Sequence, residues 1–155
     1  MKRVISILLS IVVLFLLVPT NCNAAPNSVV EKKIVNGQTY YIETVISEKS
    51  SFNFLQATSK SKTASKTTYV KDSKGNILWS VSVTGTFSYD KKTSKCTSCS
   101  HSASSSNKNW SIKNSSSSYS GNSATATATA SLKGIFGHDQ TESVTISCSP
   151  SGTIN

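Results

Sequence analysis

The stretch ILWSVSVTGTFSY, Ile77 to Tyr89, alternates apolar and hydroxyl side chains along its length. Ile77, Trp79, Val81, Val83, Phe87 and Tyr89 fall on one side of an extended chain. Ser80, Ser82, Thr84, Thr86 and Ser88 fall on the other. A period of two marks a β-strand with one buried and one solvated face, because successive side chains leave an extended backbone in opposite directions. SATATATASL repeats the pattern with Ala124, Ala126, Ala128 and Ala130 against Thr125, Thr127 and Thr129, and ESVTISC repeats it with Val144, Ile146 and Cys148. No segment shows the 3.6-residue apolar spacing of an amphipathic helix. SFNFLQA, Ser51 to Ala57, would make one short turn.

Turn residues separate these runs. Asn36-Gly37 stands between VVEKKIV and QTYYIETVI and predicts a tight hairpin, since both residues accept positive φ. DSKGN (Asp72 to Asn76), DKKTSK (Asp90 to Lys95), SGN (Ser120 to Asn122) and KGIFGHDQ (Lys133 to Gln140) divide the remaining strands. Short strands with turns at this spacing predict an all-β fold, an antiparallel β-sandwich with an N-terminal hairpin or arm. Residues 67–155 are expected to form the sandwich. Residues 25–66 are expected to form the hairpin and a flexible Ser/Thr/Lys-rich connector, with Phe52, Phe54 and Leu55 as a point of contact with the core.

The N-terminus reads as a secretory leader. Met1-Lys2-Arg3 is basic, Val4 to Val18 is an apolar run of about 15 residues, and Pro19 breaks it. That run is shorter than the roughly 20 residues that span a bilayer comfortably. Cys22 and Ala24 are small residues at the −3 and −1 positions of a cut before Ala25, which makes residues 1–24 a signal peptide and leaves no transmembrane segment afterwards. The cut removes Lys2 and Arg3 and lowers the formal net charge from +9 to +7. Every remaining basic residue is a lysine, dispersed along the chain. Dispersed lysine gives a weak attraction to polyanions, whereas a nucleic-acid site calls for clustered arginine with stacking aromatics. Nucleic acid is therefore not an expected partner. An anionic cell-wall polymer or a surface glycan is.

From Lys66 to Gly152, the strings KTTYVKDSKGNILWSVSVTGTFSYD, CTS, NWSIKNSSSSYSGNSATATAT and ESVTISCSPSG resemble a group of small secreted proteins of Gram-positive, clostridia-like bacteria. The resemblance implies an extracellular compartment and a β-rich domain. It implies no activity.

CTSCSH, Cys96 to His101, admits three readings. A closed zinc site needs four ligands, and Cys96, Cys99, His101 and the distant Cys148 are the candidates. On a regular strand, however, residues three apart point to opposite faces. A redox couple needs its first thiol at a helix N-terminus, and no helix pattern follows. A disulfide suits an oxidising compartment and is the expectation: Cys96 with Cys148, leaving Cys99 as a thiol on the face of His101 and Ala103. Such a bridge would close a loop of roughly 50 residues and stabilise by about 4 kcal/mol. Cys99 with Cys148 is the competing pair.

His138, Asp139 and Glu142 in GIFGHDQTE form the one local cluster of titratable groups. Adjacent His138 and Asp139 point apart on an extended chain, and no serine lies in a nucleophile elbow, so no catalytic residue is assigned. No phosphate loop, nucleotide fingerprint or paired-carboxylate motif is present, and no cofactor or metal is expected. Trp79 lies on the apolar face and belongs to the core. Trp110, between Asn109 and Ser111, is the better ligand contact, together with an Ile135-Phe136 loop tip. These features predict a secreted, non-catalytic binding or structural domain at the cell envelope or outside the cell. The alternatives are a secreted hydrolase using His138 with Asp139 or Glu142, and a membrane-active antimicrobial protein.

Overall fold

The structure is a computed structural model, and it describes residues 28–49, 59–135 and 137–155. The leader, Phe52, Phe54, Leu55 and Phe136 lie outside these residues. Eight strands follow one another: β1 (Ser28–Val35), β2 (Gln38–Lys49), β3 (Lys60–Lys71), β4 (Ile77–Tyr89), β5 (Ser94–Ser105), β6 (Trp110–Ser120), β7 (Ser123–Leu132) and β8 (Asp139–Ser147). They form two antiparallel sheets, β1-β2-β3-β4-β5 and β6-β7-β8. β7 and β8 pack on β4, β8 also on β3, and β5 meets β6 and β7. This is the expected β-sandwich. Among the described residues no helix is long and apolar enough to cross a membrane.

Alternation places the core. Trp79, Val81, Val83 and Phe87 of β4 are fully buried against Ala124, Ala126, Ala128 and Ala130 of β7 and Val144 and Ile146 of β8. Large side chains from one sheet meet alanines from the other, which lets the two layers close without voids. Gly85 serves the same end. A Cβ there would lie 2.5 Å from a ring carbon of Phe87, so the ring can fold over the strand only because the side chain is missing. The outward faces are carpets of hydroxyls bonded across strands, such as Ser65–Thr84 at 2.7 Å and Thr127–Ser143 at 2.8 Å. The Asn36-Gly37 turn forms as expected, with φ of 48° and 77° at its two residues.

Three features depart from the sequence reading. Residues 60–66, expected in the connector, form the first half of β3. Their inward positions are Lys62, Ala64 and Lys66, opposite Phe87, Gly85 and Val83. Lysine stems line the sheet while the Lys62 ammonium reaches Glu48 and the Gly152 carbonyl at its end, so the apolar alternation is disguised. The second departure is at the start of β4. Val70 pairs with Trp79 and Lys71 with Ile77, so Leu78 is an extra residue; it is buried, and Ile77 is exposed. The third lies in β5. Thr86 pairs with Ser98 and Phe87 with Cys96, which makes Thr97 the extra residue of a bulge. The slip turns Cys96 and Cys99 to the same inward face, opposite Phe87 and Gly85.

Candidate functional site

Antiparallel order sends alternate connections to opposite ends of the sandwich. One end carries Asn36-Gly37, Asp72–Asn76, Ser106–Asn109 and the loop from Lys133 to His138. The other carries the β4–β5 and β6–β7 turns and the C-terminal residues. The two ends are built from different chemistry.

At the first end, Trp110 opens β6 directly after a loop shaped by Asn107. The Asn107 side chain accepts the Asn109 N–H at 2.9 Å, and its carbonyl accepts the Trp110 N–H at 2.9 Å. Trp110 is thereby turned inward and buried, with its indole 6.4 Å from that of Trp79. The Tyr40 ring meets it edge-on at 6.0 Å, and the His138 ring meets it edge-on at 5.6 Å. The Tyr40 hydroxyl lies 3.2 Å from His138 Nε2 and donates to the Gln38 side-chain oxygen. Burial pushes the Tyr40 phenol above its ordinary range, so it remains a hydroxyl donor at any physiological pH.

A cleft of about 310 Å³ opens over this cluster. Tyr40, Trp110 and Leu78 form its apolar wall, and Gln38, Asn107, Asn109 and Asp72 contribute its polar groups. A smaller cleft beside it, lined by Asn36, Gln38, Gly137 and His138, extends it along the rim. Neutral amides that both donate and accept, next to aromatic rings, suit an uncharged ligand rich in hydroxyls. Two buried polar atoms at this end of the core have no hydrogen-bond partner among the described residues, Trp79 Nε1 and Gln140 Oε1. Leaving a buried donor and a buried acceptor unmatched costs stability.

The sequence-derived site residues are distributed as follows. Trp110 forms the floor of the cleft and not an open platform. Ile135 stands out at 98% exposure on the loop that also carries His138. His138 belongs to the aromatic cluster. Asp139 is held by Lys113 at 2.7 Å, and Glu142 by Lys33 at 2.7 Å. The hydrogen bond from Lys113, then one from Ser131, keep the Asp139 carboxyl below the usual carboxylate range. Tyr40, Gln38 and Asn107 were not foreseen. The signal for Gln38 and Tyr40 was the alternation in QTYYIET, which puts Gln38, Tyr40 and Ile42 on one face; Asn107 lies in a loop that carried no such signal.

The three described cysteines are free thiols, so the expected Cys96–Cys148 bridge is not formed. Each buried thiol is engaged locally: Cys96 donates to the Ser98 carbonyl and Cys148 to the Ser149 carbonyl. Burial raises both thiols above their ordinary range, and the neighbouring Cys99 raises Cys96 further. His101 Nδ1 lies 2.9 Å from Ser117 Oγ, which joins β5 to β6. Among the described residues no group of three His, Cys, Asp or Glu stands close enough to hold a metal ion.

Comparison with protein-family models, with curated proteins and with solved structures found no match for this chain.

Proposed function

We propose that this protein is a secreted, non-catalytic binding domain that acts at the cell envelope or outside the cell and takes its ligand at the Trp110 end of the sandwich. The observation that carries the reading is the cleft itself, where Tyr40, Trp110 and His138 converge beside Gln38, Asn107 and Asn109. Its lining contains no lysine, which favours a neutral surface glycan over an anionic wall polymer. The N-terminal leader pattern and the dispersed lysines support the extracellular setting. Binding is favoured over hydrolysis because Asp139 and Glu142, the carboxylates nearest His138 in sequence, are each paired with a lysine.

Co-sedimentation with purified cell wall, insoluble polysaccharides and anionic vesicles tests the reading. Retention by the polysaccharide or wall fraction, insensitive to salt, is expected. Retention by vesicles alone, lost with added salt, would favour the membrane-active alternative. Loss of a hydrolytic activity in His138→Ala, with its fold intact, would overturn the non-catalytic assignment.

A further inference from the structure

Among the described residues β8 ends its sheet, and part of its outer edge is already covered by the chain itself. The Ser147 N–H donates to the Asn155 carbonyl at 3.0 Å, and the Asn155 N–H donates back to Ser147 at 3.0 Å. Cys148 and Ile154 form the accompanying antiparallel bridge. In an antiparallel ladder the N–H and C=O of one residue point the same way, and the direction alternates along the strand. The regular register with β7 fixes the rest of β8. Counting back by twos from Ser147, the backbone groups of Thr145, Ser143 and Thr141 point to this outer edge. Those of Ile146 and Val144 point to β7, as does the Cys148 N–H, which donates to Asn122.

Beside this edge lies a groove of about 530 Å³. Its apolar wall is Val29, Ile46 and Val144, and Ser143 and Thr145 form its rim. The groove exists because the first sheet has more strands than the second: β8 packs on β3, and β1 and β2 extend beyond it. Lys33 and Glu142 tie the overhang to β8 at the Trp110 end. Lys66 points into the groove and takes part in none of the ion pairs among the described residues. From β3, across the groove from the β8 edge, this lysine discourages pairing with an identical edge, which would bring a second such lysine to it. It attracts a carboxylate.

We propose that the open edge of β8 is a strand-addition site for an extended, acidic segment of a partner protein. The segment bonds to the backbone of Thr141, Ser143 and Thr145, a span of about 14 Å at roughly 3.4 Å per residue. Its inward side chains lie over Val29, Ile46 and Val144, and an inward carboxylate meets Lys66. This surface is separate from the cleft at Trp110 and does not depend on the ligand proposed there.

The probe is the peptide acetyl-Thr-Val-Thr-Asp-Thr-Val-Thr-amide, titrated into the ¹⁵N-labelled protein while amide shifts are followed. Expected are shifts at Thr141, Ser143, Thr145, Val29 and Ile46, with the amides of Gln38, Tyr40 and Trp110 unmoved. Replacing the peptide's Asp by Lys should weaken binding by about two- to fivefold, the range for a partly exposed ion pair. Lys66→Glu should reverse that preference. Ser143→Pro removes an N–H that faces the open edge and not β7, so it should abolish binding and keep the fold. If that variant unfolds, the charge reversal at Lys66 still decides. Absence of shifts at millimolar peptide, shifts at the Trp110 end instead, or equal binding of the Asp and Lys peptides would overturn the proposal.

Discussion

The two ends of the sandwich answer different demands. The end at the β4–β5 and β6–β7 turns is closed by reciprocal hydrogen bonds. Lys91 N–H donates to Pro150, Cys96 N–H to Gly121 at 2.8 Å, and Cys148 N–H to Asn122 at 3.0 Å. The Asn122 amide and the Ser94 hydroxyl both donate to the Cys148 carbonyl. Lys62 reaches the Gly152 carbonyl at 2.7 Å, and the Tyr89 ring lies against Gly152 itself. At the Trp110 end the rings are packed as tightly, yet Trp79 Nε1 and Gln140 Oε1 lack partners and a cleft stays open above. Among the described residues the buried polar atoms without a partner lie at the Trp110 end, and broken local rules are where function is expected to reside. The closed end holds the sheets together; the open end is available for a ligand.

The largest expected effect tests whether the open end is nonetheless anchored in the core. Trp79 is fully buried between the sheets, and Trp79→Ala should cost roughly 3–5 kcal/mol in denaturant unfolding. A loss below about 1 kcal/mol would mean that the Trp110 cluster rests on the surface of the core and not on it as a foundation.

Next comes the closed end. Gly152 has φ +89°, and a Cβ there would meet the Tyr89 ring at 2.5 Å. Gly152→Ala therefore combines backbone strain with overpacking and should destabilise by about 1–3 kcal/mol. Ligand retention per folded molecule should be unchanged. Reduced retention at unchanged stability would erase the distinction between the ends.

A smaller effect of opposite sign is expected at Gln140. Its buried Oε1 has no partner, so Gln140→Leu should raise stability by about 1 kcal/mol, the scale of an unsatisfied buried acceptor. The Nε2 contact to Glu142 at 3.0 Å, which is lost, limits the gain. Marked destabilisation would show that the acceptor is matched in solution, and the contrast in satisfaction between the ends would fail.

The cysteines sharpen the contrast without a large energy. Cys99 is half-buried, whereas Cys96 and Cys148 are buried and have raised thiols. A maleimide at neutral pH should label Cys99 first and the other two only on unfolding, since the thiolate is the reactive form. For the chain beginning at Ala25, three labels after unfolding without reductant are expected. A single label would restore the Cys96–Cys148 bridge read from the sequence.

Much of the fold was legible because alternation is a local signal. The faces of β4, β7 and β8 and the Asn36-Gly37 hairpin follow from side-chain period and turn chemistry alone. What was not legible depends on partners across the sheet. Whether Leu78 or Ile77 turns inward is set by a one-residue slip against β3, and a slip of one exchanges faces. The inward turn of both Cys96 and Cys99 depends likewise on Thr97, an extra residue visible only once β4 is in register. The first half of β3 escaped notice because Lys62 and Lys66 occupy inward positions where apolar residues are expected. The candidate site was half legible. Trp110 and His138 stood out by type, but Tyr40 and Gln38 come from a segment read as an arm. Only the closure of β2 against β3 brings them to the same end.

Co-sedimentation of two double variants with the retaining wall or polysaccharide fraction tests the central claim most directly. Gln38→Ala/Asn109→Ala alters the lining of the cleft, and Ser94→Ala/Asn122→Ala removes two donors from the closed end. Melting curves recorded alongside separate loss of fold from loss of ligand. The expected result is that the first variant, which loses the acceptor of the Tyr40 hydroxyl, melts slightly below the parent and no longer sediments while folded, whereas the second melts at lower temperature and sediments fully below its transition. Full sedimentation of the first variant, or loss of sedimentation by the folded second variant, would contradict the placement of the ligand site at the Trp110 end.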